Sequence, residues 1–412
     1  MPSDEELAFL ERIRTQPGDD GPRLIFADWL DARGDTRGQL IRLQCCLEQL
    51  PDTDPRRDDL QLQVATLSGA LQQAVSADLG RLAEDWSWHR GLIDAVAVNA
   101  ASFIEHGGKL LAYGPIRRIR FLEASQCLAK LIASPYLRGL REIDLCGNYL
   151  GNSVIAQLAR APHLDELRTL QLGFNDLTDA GLRALAEIPH LANLCELHLE
   201  DNKRLATPGL RALADSPYFP NLRLLNLSGN ALTDSAVRVL INAEGLTHLN
   251  AVALADNNLG DSGVTSLARS ELLTRMLAHN PVLDLRRNNI GPVGARALAE
   301  SPRVGTLRTL NLAGNVIGDA GLAALAQSPH LGQLEELIVS GNRISDTGAM
   351  ALAGSELLAT LRSIDLTGNI VNHSSIHDLH DAAMSHDWRR QLAITHGITS
   401  TEERQHSVSF TR

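Results

Sequence analysis

Nine asparagines recur along this chain of 412 residues: Asn148, Asn175, Asn202, Asn230, Asn257, Asn288, Asn315, Asn342 and Asn369, at steps of 27, 27, 28, 27, 31, 27, 27 and 27. Each closes the same phrase, as in Leu167-Arg-Thr-Leu170-Gln-Leu172-Gly-Phe-Asn175 and Leu307-Arg-Thr-Leu310-Asn-Leu312-Ala-Gly-Asn315. A fixed period of this length restricts the chain to a solenoid, in which each repeat contacts mainly its neighbours. One coil alone buries too little apolar surface to offset the ordering of its backbone, so the coils must stack.

Each position in the phrase has a physical role. The leucines alternate at period two and point to one side, into the interior. The asparagine follows at the turn, where its amide can bond backbone groups left unpaired at the strand end, including those of adjacent coils. Four residues further come Asn152, Asp179, Asp234, Asp261, Asp319 and Asp346, with Thr207 five past Asn202. All are residue types favoured at helix N-caps. A row of aspartates can also suggest calcium ligands, but the cap accounts for them. Leucine pairs such as Leu182/Leu185 and Leu322/Leu325 then turn a helical face inward. Strands stack about 4.8 Å apart while packed helices need about 8–10 Å, so the stack is expected to curve with its strands inside.

Around this array the chain divides into segments. Residues 1–50 read as short helices, the first opened by the capping-box pattern Ser3-Asp-Glu-Glu6. Residues 51–85 are a proline-bounded hinge and a helix-prone stretch. Residues 86–139 hold a strand at Leu92–Val98, a helix near Ala101–Tyr113 and a strand at Ile116–Phe121, which fit atypical capping repeats. The array proper spans 140–385. Residues 386–412 form a C-terminal cap, with Trp388, and a polar, mobile tail.

Composition narrows the function. A net charge of −11 with 21% charged residues argues against general nucleic-acid binding, which needs clustered Lys and Arg. The acidic start lacks a signal-peptide core and no apolar run reaches a membrane-spanning length. The five cysteines, Cys45, Cys46, Cys127, Cys146 and Cys195, are odd in number and lack zinc spacing. Adjacent Cys45 and Cys46 read as small buried hydrophobes. A reduced, cytoplasmic protein is expected. No P-loop, G-x-S-x-G, H-E-x-x-H or dinucleotide fingerprint occurs, so no enzyme and no cofactor is expected. His163, His190 and His330 recur at the return from helix to strand, on separate coils. His373, His377 and His380 share a helical face near His386, where capping polar surface is favoured over a metal site.

The phrase L-x-x-L-x-L-x-x-N resembles the leucine-rich repeat. With its Thr-Asp-Ala-Gly-Leu-Arg-Ala-Leu-Ala continuation at Thr178–Ala186 it is similar to the ribonuclease-inhibitor type. That resemblance implies an α/β solenoid with a curved parallel sheet inside and helices outside, here preceded by a small all-α domain. It also implies protein binding on the concave face, and a sister group includes GTPase-activating proteins acting in trans. The segment Asp20–Gln44 resembles the bacterial repeat-companion domain, which implies no established activity. Its Asp28, Arg33, Arg37 and Arg42 are expected to form an internal ion-pair network.

The outward strand positions form a column: Asp144, Gln171, His198, Asn226, Ala253, Asp284, Asn311, Ile338 and Asp365. Glu142, Asp144, Glu196, Glu200 and Asp201 suggest an acidic patch that attracts a basic protein, against the plainer reading of a solvated face. Phe174 is the clearest aromatic on that face. The two irregular steps are the remaining signal. One extra residue follows Asn202 at Lys203-Arg204, and four precede Asn288 within Glu271–Asn280, expected as a bulged loop beside Arg286 and Arg287. Insertions in repeats commonly mark the binding face. The expected function is a non-catalytic module for an unidentified protein partner, with His198 among the candidate contacts; the alternative is a regulator of a GTPase, similar to the GTPase-activating relatives, acting in trans.

Overall fold

The computed structural model of the chain describes residues 3–386 and 392–395, with the backbone alone at 385 and 386. Expectations for the side chain of His386, for Trp388 and for the tail beyond residue 395 lie outside the described residues. The chain forms two compact units. One comprises residues up to Asn175 with Ile188–Leu194, the other Asp176–Glu187 with the chain from Cys195 onward.

The first unit starts with helices α1 (Asp4–Thr15), α2 (Gly21–Asp31), α3 (Arg37–Gln49) and α4 (Arg57–Leu79). Ser3 caps α1 by accepting the Glu6 amide at 3.2 Å. The other half of the expected capping box does not form, because the Glu6 carboxylate takes Arg37 Nη1 at 2.8 Å, a charge-assisted bond stronger than one to a neutral amide. Arg42 pairs with Asp28 and Asp31. Arg33 reaches Glu5 at 3.1 Å and lies over the Trp29 ring. Arg57 crosses the expected hinge to bond the carbonyls of Leu47 and Leu50 at 2.9 and 2.8 Å.

Leu10, Ile13, Phe26, Ala27, Leu30, Ile41, Cys45 and Leu92 form one core cluster. The helical segment and the first array strands therefore share apolar packing. Burial pushes the Cys45 thiol up to about 12, which makes it unreactive. Cys46, against expectation, is exposed, since consecutive residues of a helix point to different faces.

A hairpin follows, β1 (Asp85–His89) antiparallel to β2 (Leu92–Asn99). Its turn, Arg90-Gly91, is left-handed at both residues, with φ of 48° and 77°, the conformation that matches hairpin twist. Only β2 is foreseen by alternation, because a register shift at Ser87/Trp88 breaks the period of β1. The unit continues through α5 (Ala100–Leu110), β3 (Arg118–Leu122), α6 (Leu128–Ile132), β4 (Glu142–Asp144), α7 (Ser153–Leu158) and β5 (Thr169–Gln171). Strands β2, β3, β4 and β5 pair in parallel in that order.

In the second unit strand and helix alternate: α8 (Asp179–Leu185), β6 (Glu196–His198), α9 (Thr207–Ala214), β7 (Leu224–Asn226), α10 (Asp234–Ile241), β8 (Ala251–Ala253) and α11 (Asp261–Ala268). Then come α12 (Glu271–His279), β9 (Val282–Asp284), α13 (Pro292–Ala299), β10 (Thr309–Asn311), α14 (Gly318–Ala326), β11 (Glu336–Ile338), α15 (Asp346–Ala353), β12 (Ser363–Asp365), α16 (His373–His386) and β13 (Ala393–Thr395). Strands β6 to β8 form one parallel run and β9 to β13 another. The segment expected as cap and tail thus supplies one more strand, β13, beside β12.

Inside each coil the asparagine works as a two-way clamp. Asn175, fully buried, donates to Leu145 O and Gly173 O at 2.9 and 3.0 Å and accepts the Leu150 amide at 3.2 Å. Asn315 donates to Leu285 O and Leu312 O and accepts the Ile290 amide at 2.9 Å. Carbonyls and amides that the short strands leave unpaired are satisfied this way, which matters because buried unpaired groups are costly.

The aspartates do something different from the expected N-cap. Asp234 Oδ1 accepts the amides of Gly260 and Gly263 in the following coil at 2.7 and 2.8 Å. Asp179 serves Ala206 and Gly209, Asp261 serves Gly291 and Gly294, and Asp319 serves Ser345 and Gly348. Each sits in the first turn of its own helix and satisfies orphan amides of the next one. Two close coils are what allow this, and a linear pattern does not display it.

The four-residue insertion also departs from expectation. Glu271–His279 is the helix α12, not a loop. Ser270 caps it, accepting the Leu273 amide, and Leu272, Leu273, Met276 and Leu277 are buried. That i, i+1, i+4, i+5 set is a helical face. The strand ladder is interrupted at this coil, between β8 and β9, although the Asp256 amide still bonds Arg286 O at 2.9 Å.

The one-residue insertion has a quieter effect. In most coils the amide two residues past one asparagine bonds the next asparagine's Oδ1. After Asn202 the extra residue disturbs that register, the Leu205 amide turning back to Asn202 O at 2.7 Å. Asn230 Oδ1 is left buried without a hydrogen-bond partner.

Candidate partner-binding face

The outward strand positions line up as the spacing predicts within each unit. Asp144 is registered with Gln171, His198 with Asn226 and Ala253, and Asp284 with Asn311, Ile338 and Asp365. Most of the short acidic and amide side chains here are pinned to their own turn. The Oδ1 atoms of Asp144, Asn226, Asp284, Asn311 and Asp365 accept the amides of Cys146, Ser228, Arg286, Ala313 and Thr367 at 2.8–3.1 Å. Such local bonds are the Asx-turn habit of these residues. They hold each side chain in one orientation.

The acidic residues are partly compensated. In the first unit Glu142 is registered with Arg118 and Asp144 with Arg120, and Arg120 Nε lies 3.6 Å from Asp144. Glu142 also accepts from Gln171 at 2.6 Å. These arginines come from β3, whose coil lacks the asparagine phrase, so the column as read from that phrase omits them. In the second unit Glu196 lies 3.8 Å from His198, and Glu200 accepts from Asn226 at 3.0 Å. Arg286 bridges Asp256 and Asp284 at 3.2 and 2.6 Å. Arg287 reaches the same Asp256 at 3.4 Å while its side chain stays 75% exposed.

A conformational feature marks some of these residues. The residue before the asparagine has positive φ in every coil of the ladder: Gly147, Phe174, Asp201, Gly229, Asp256, Arg287, Gly314, Gly341 and Gly368, between 52° and 73°. Glycine adopts this region at no steric cost, whereas other residues carry about 1–2 kcal/mol of strain there. Five coils use glycine; Phe174, Asp201, Asp256 and Arg287 do not. The Asp201 carboxylate and the Arg287 stem lie so close over Gly229 and Gly314 of the following coils that a Cβ there would sit 2.7 and 2.9 Å from them. Phe174 is half exposed. Asp256 is absent from the sequence-derived candidates, although the glycine-or-not alternation before each asparagine is a signal the sequence carries.

Elsewhere the histidines are dispersed. His190 Nε2 lies 2.9 Å from Leu158 O, and His377 is 3.6 Å from Asp381. Beside α12, Thr265, Arg269, Val293, Arg296, Glu300 and Arg303 line a shallow cavity of about 460 Å³. Among the described residues no helix is long and apolar enough to cross a membrane.

Six segments match the leucine-rich-repeat family model: 167–186, 220–240, 245–268, 282–299, 306–326 and 334–353. The chain has the leucine-rich-repeat fold. Among solved structures it is similar to an internalin from Listeria monocytogenes, at 16% identity and a TM-score of 0.39, over 78% of this chain and 94% of that one. No curated protein matches the chain. Leucine-rich-repeat arrays present extended surfaces that generally serve protein–protein recognition.

Proposed function

We propose that this chain is a non-catalytic protein-interaction module that receives a partner protein on its outward strand face. The observation that carries the reading is the placement of Asp201, Asp256 and Arg287 in the second unit, with Phe174 in the equivalent position of the first. Each occupies a left-handed position that glycine fills at lower cost in the other coils, and strain retained in the folded chain points to use. The pinned Asx column supports the same reading, because side chains already fixed lose little entropy on binding. Arg and aromatic residues are the usual anchors of such interfaces. The array is read as ribonuclease-inhibitor-like, the helical start as a companion domain, and the setting as cytoplasmic.

The test uses the full chain as bait in native lysate, against a variant with all four residues replaced by glycine. Their backbone angles suit glycine, so the fold is retained. Loss of a captured protein from the variant is expected. Equal capture by both would overturn the reading. Truncation of residues 1–56 is a poorer test, since it would uncover Leu92.

A further inference from the structure

A second feature lies apart from the strand face, at the N-terminal edge of the first strands. Arg117 directly precedes β3, and its amide donates to Asp94 O at 3.0 Å. Its carbonyl accepts the amides of Arg141 and Glu142 at 2.8 and 3.0 Å, so Arg117 and Arg141 are neighbours on adjacent strands. The Arg117 Nε and Nη1 atoms are buried, and no acceptor of the protein bonds them. Arg23, from α2, is 2% exposed. It donates from Nη1 to Asp19 O at 3.0 Å, and its Nε is likewise without an acceptor.

Carboxylates do not balance this group. Asp94 is buried and is taken by Arg118 at 3.0 Å. Asp20 and Glu48 are held by Arg90. Burial, and then the charge of Arg141, push the Arg117 guanidinium down to about 10, with Asp94 opposing and Arg23 and Arg118 adding to the effect. Arg117 therefore keeps its charge at neutral pH. A buried cation without a partner is strongly destabilising. Arg118 takes Asp94, and among the described residues neither Arg117 nor Arg141 makes an ion pair, which leaves two positive charges over.

We propose that Arg117, with Arg23 and Arg141 around it, forms a binding site for a phosphate group. A phosphate carries about −1.5 to −2 charges at pH 7, which matches the excess, and its several oxygens suit the unbonded donors. Guanidinium–phosphate bonds are charge-assisted, and Arg is the residue type suited to such contacts. The site is independent of the strand-face reading, so either can fail alone.

The test measures thermal unfolding of the full chain in low-millimolar inorganic phosphate at constant ionic strength, with chloride as reference. The wild-type midpoint is expected to climb by about 3 °C by the time phosphate reaches about a hundred times its dissociation constant, and to keep rising with the logarithm of its concentration. Arg117→Met should lose that dependence and start from a higher midpoint without phosphate, because the unpaired charge is gone. Arg141→Met should weaken the dependence and serves if the first variant does not fold. A second arm replaces phosphate by phosphoserine. An equal response assigns the site to the phosphate group of a larger molecule, and a response to inorganic phosphate alone assigns it to the free ion. No shift in the wild type, or the same shift in both variants, would overturn the site.

Discussion

Asp319 and Gly348, one coil apart, are fitted to each other: Asp319 Oδ1 accepts the Gly348 amide at 3.1 Å, and a Cβ on Gly348 would sit 2.6 Å from that oxygen. The same geometry recurs at Asp179/Gly209, Asp234/Gly263 and Asp261/Gly294, with the hypothetical Cβ 2.6–2.8 Å from the carboxylate. The glycine is there so that the previous coil's carboxylate can reach the helix start.

Gly348→Ala should therefore destabilise the chain by about 1–3 kcal/mol, the range for overpacking. In an Asp319→Ala background the same change should cost less, since the clashing carboxylate is gone. Chemical denaturation of the two single variants and the double variant measures the coupling. Additive effects would show that the pair is not the cause.

Acid should act on the same carboxylate. Burial raises the Asp319 pKa, but the hydroxyl and amide of Ser345 and the amide of Gly348 outweigh it, so the folded value lies below 3.8. A depressed acid contributes stability above its unfolded pKa and loses it as pH falls through the folded one. Urea midpoints between pH 5 and 2 should fall more steeply for wild type than for Asp319→Asn. Parallel curves would contradict this.

The ladder asparagines should not be equal. Asn175→Ala removes a fully satisfied clamp and strands backbone groups on two coils, at an expected cost of about 2–4 kcal/mol. Asn230→Ala should cost about 1 kcal/mol less, because its Oδ1 has no partner to lose. Equilibrium unfolding of both variants decides the order.

Phe174→Gly separates stability from function. Relief of the left-handed strain exceeds the entropy cost of glycine, so stability should rise by about 0.5–1 kcal/mol while partner capture weakens. A lower unfolding midpoint would show that the Phe174 ring is structural.

The insertion before Asn288 gives the clearest check on packing. Leu273 is fully buried, so Leu273→Ala should cost about 2–5 kcal/mol. A surface loop at this place would tolerate the change, and an unaltered melting curve would restore that reading.

The repeat, and what each coil needs locally, can be read from the order of residues alone. The period-two leucines, such as Leu170, Leu197, Leu310 and Leu337, are fully buried, and the outward column falls in register, because alternation along one strand specifies which side chains share a face. Candidate contacts Phe174, Asp201 and Arg287 were legible from that register. Packing between neighbouring elements sets that the aspartates serve the next coil's helix, that Glu6 leaves its capping box for Arg37, and that Arg118 and Arg120 stand beside Glu142 and Asp144. It also sets that one added residue orphans Asn230 and that two nitrogens of Arg117 are buried without an acceptor. Each depends on which group a neighbouring coil or helix places within about 3 Å, and the order of residues along one coil does not contain that information.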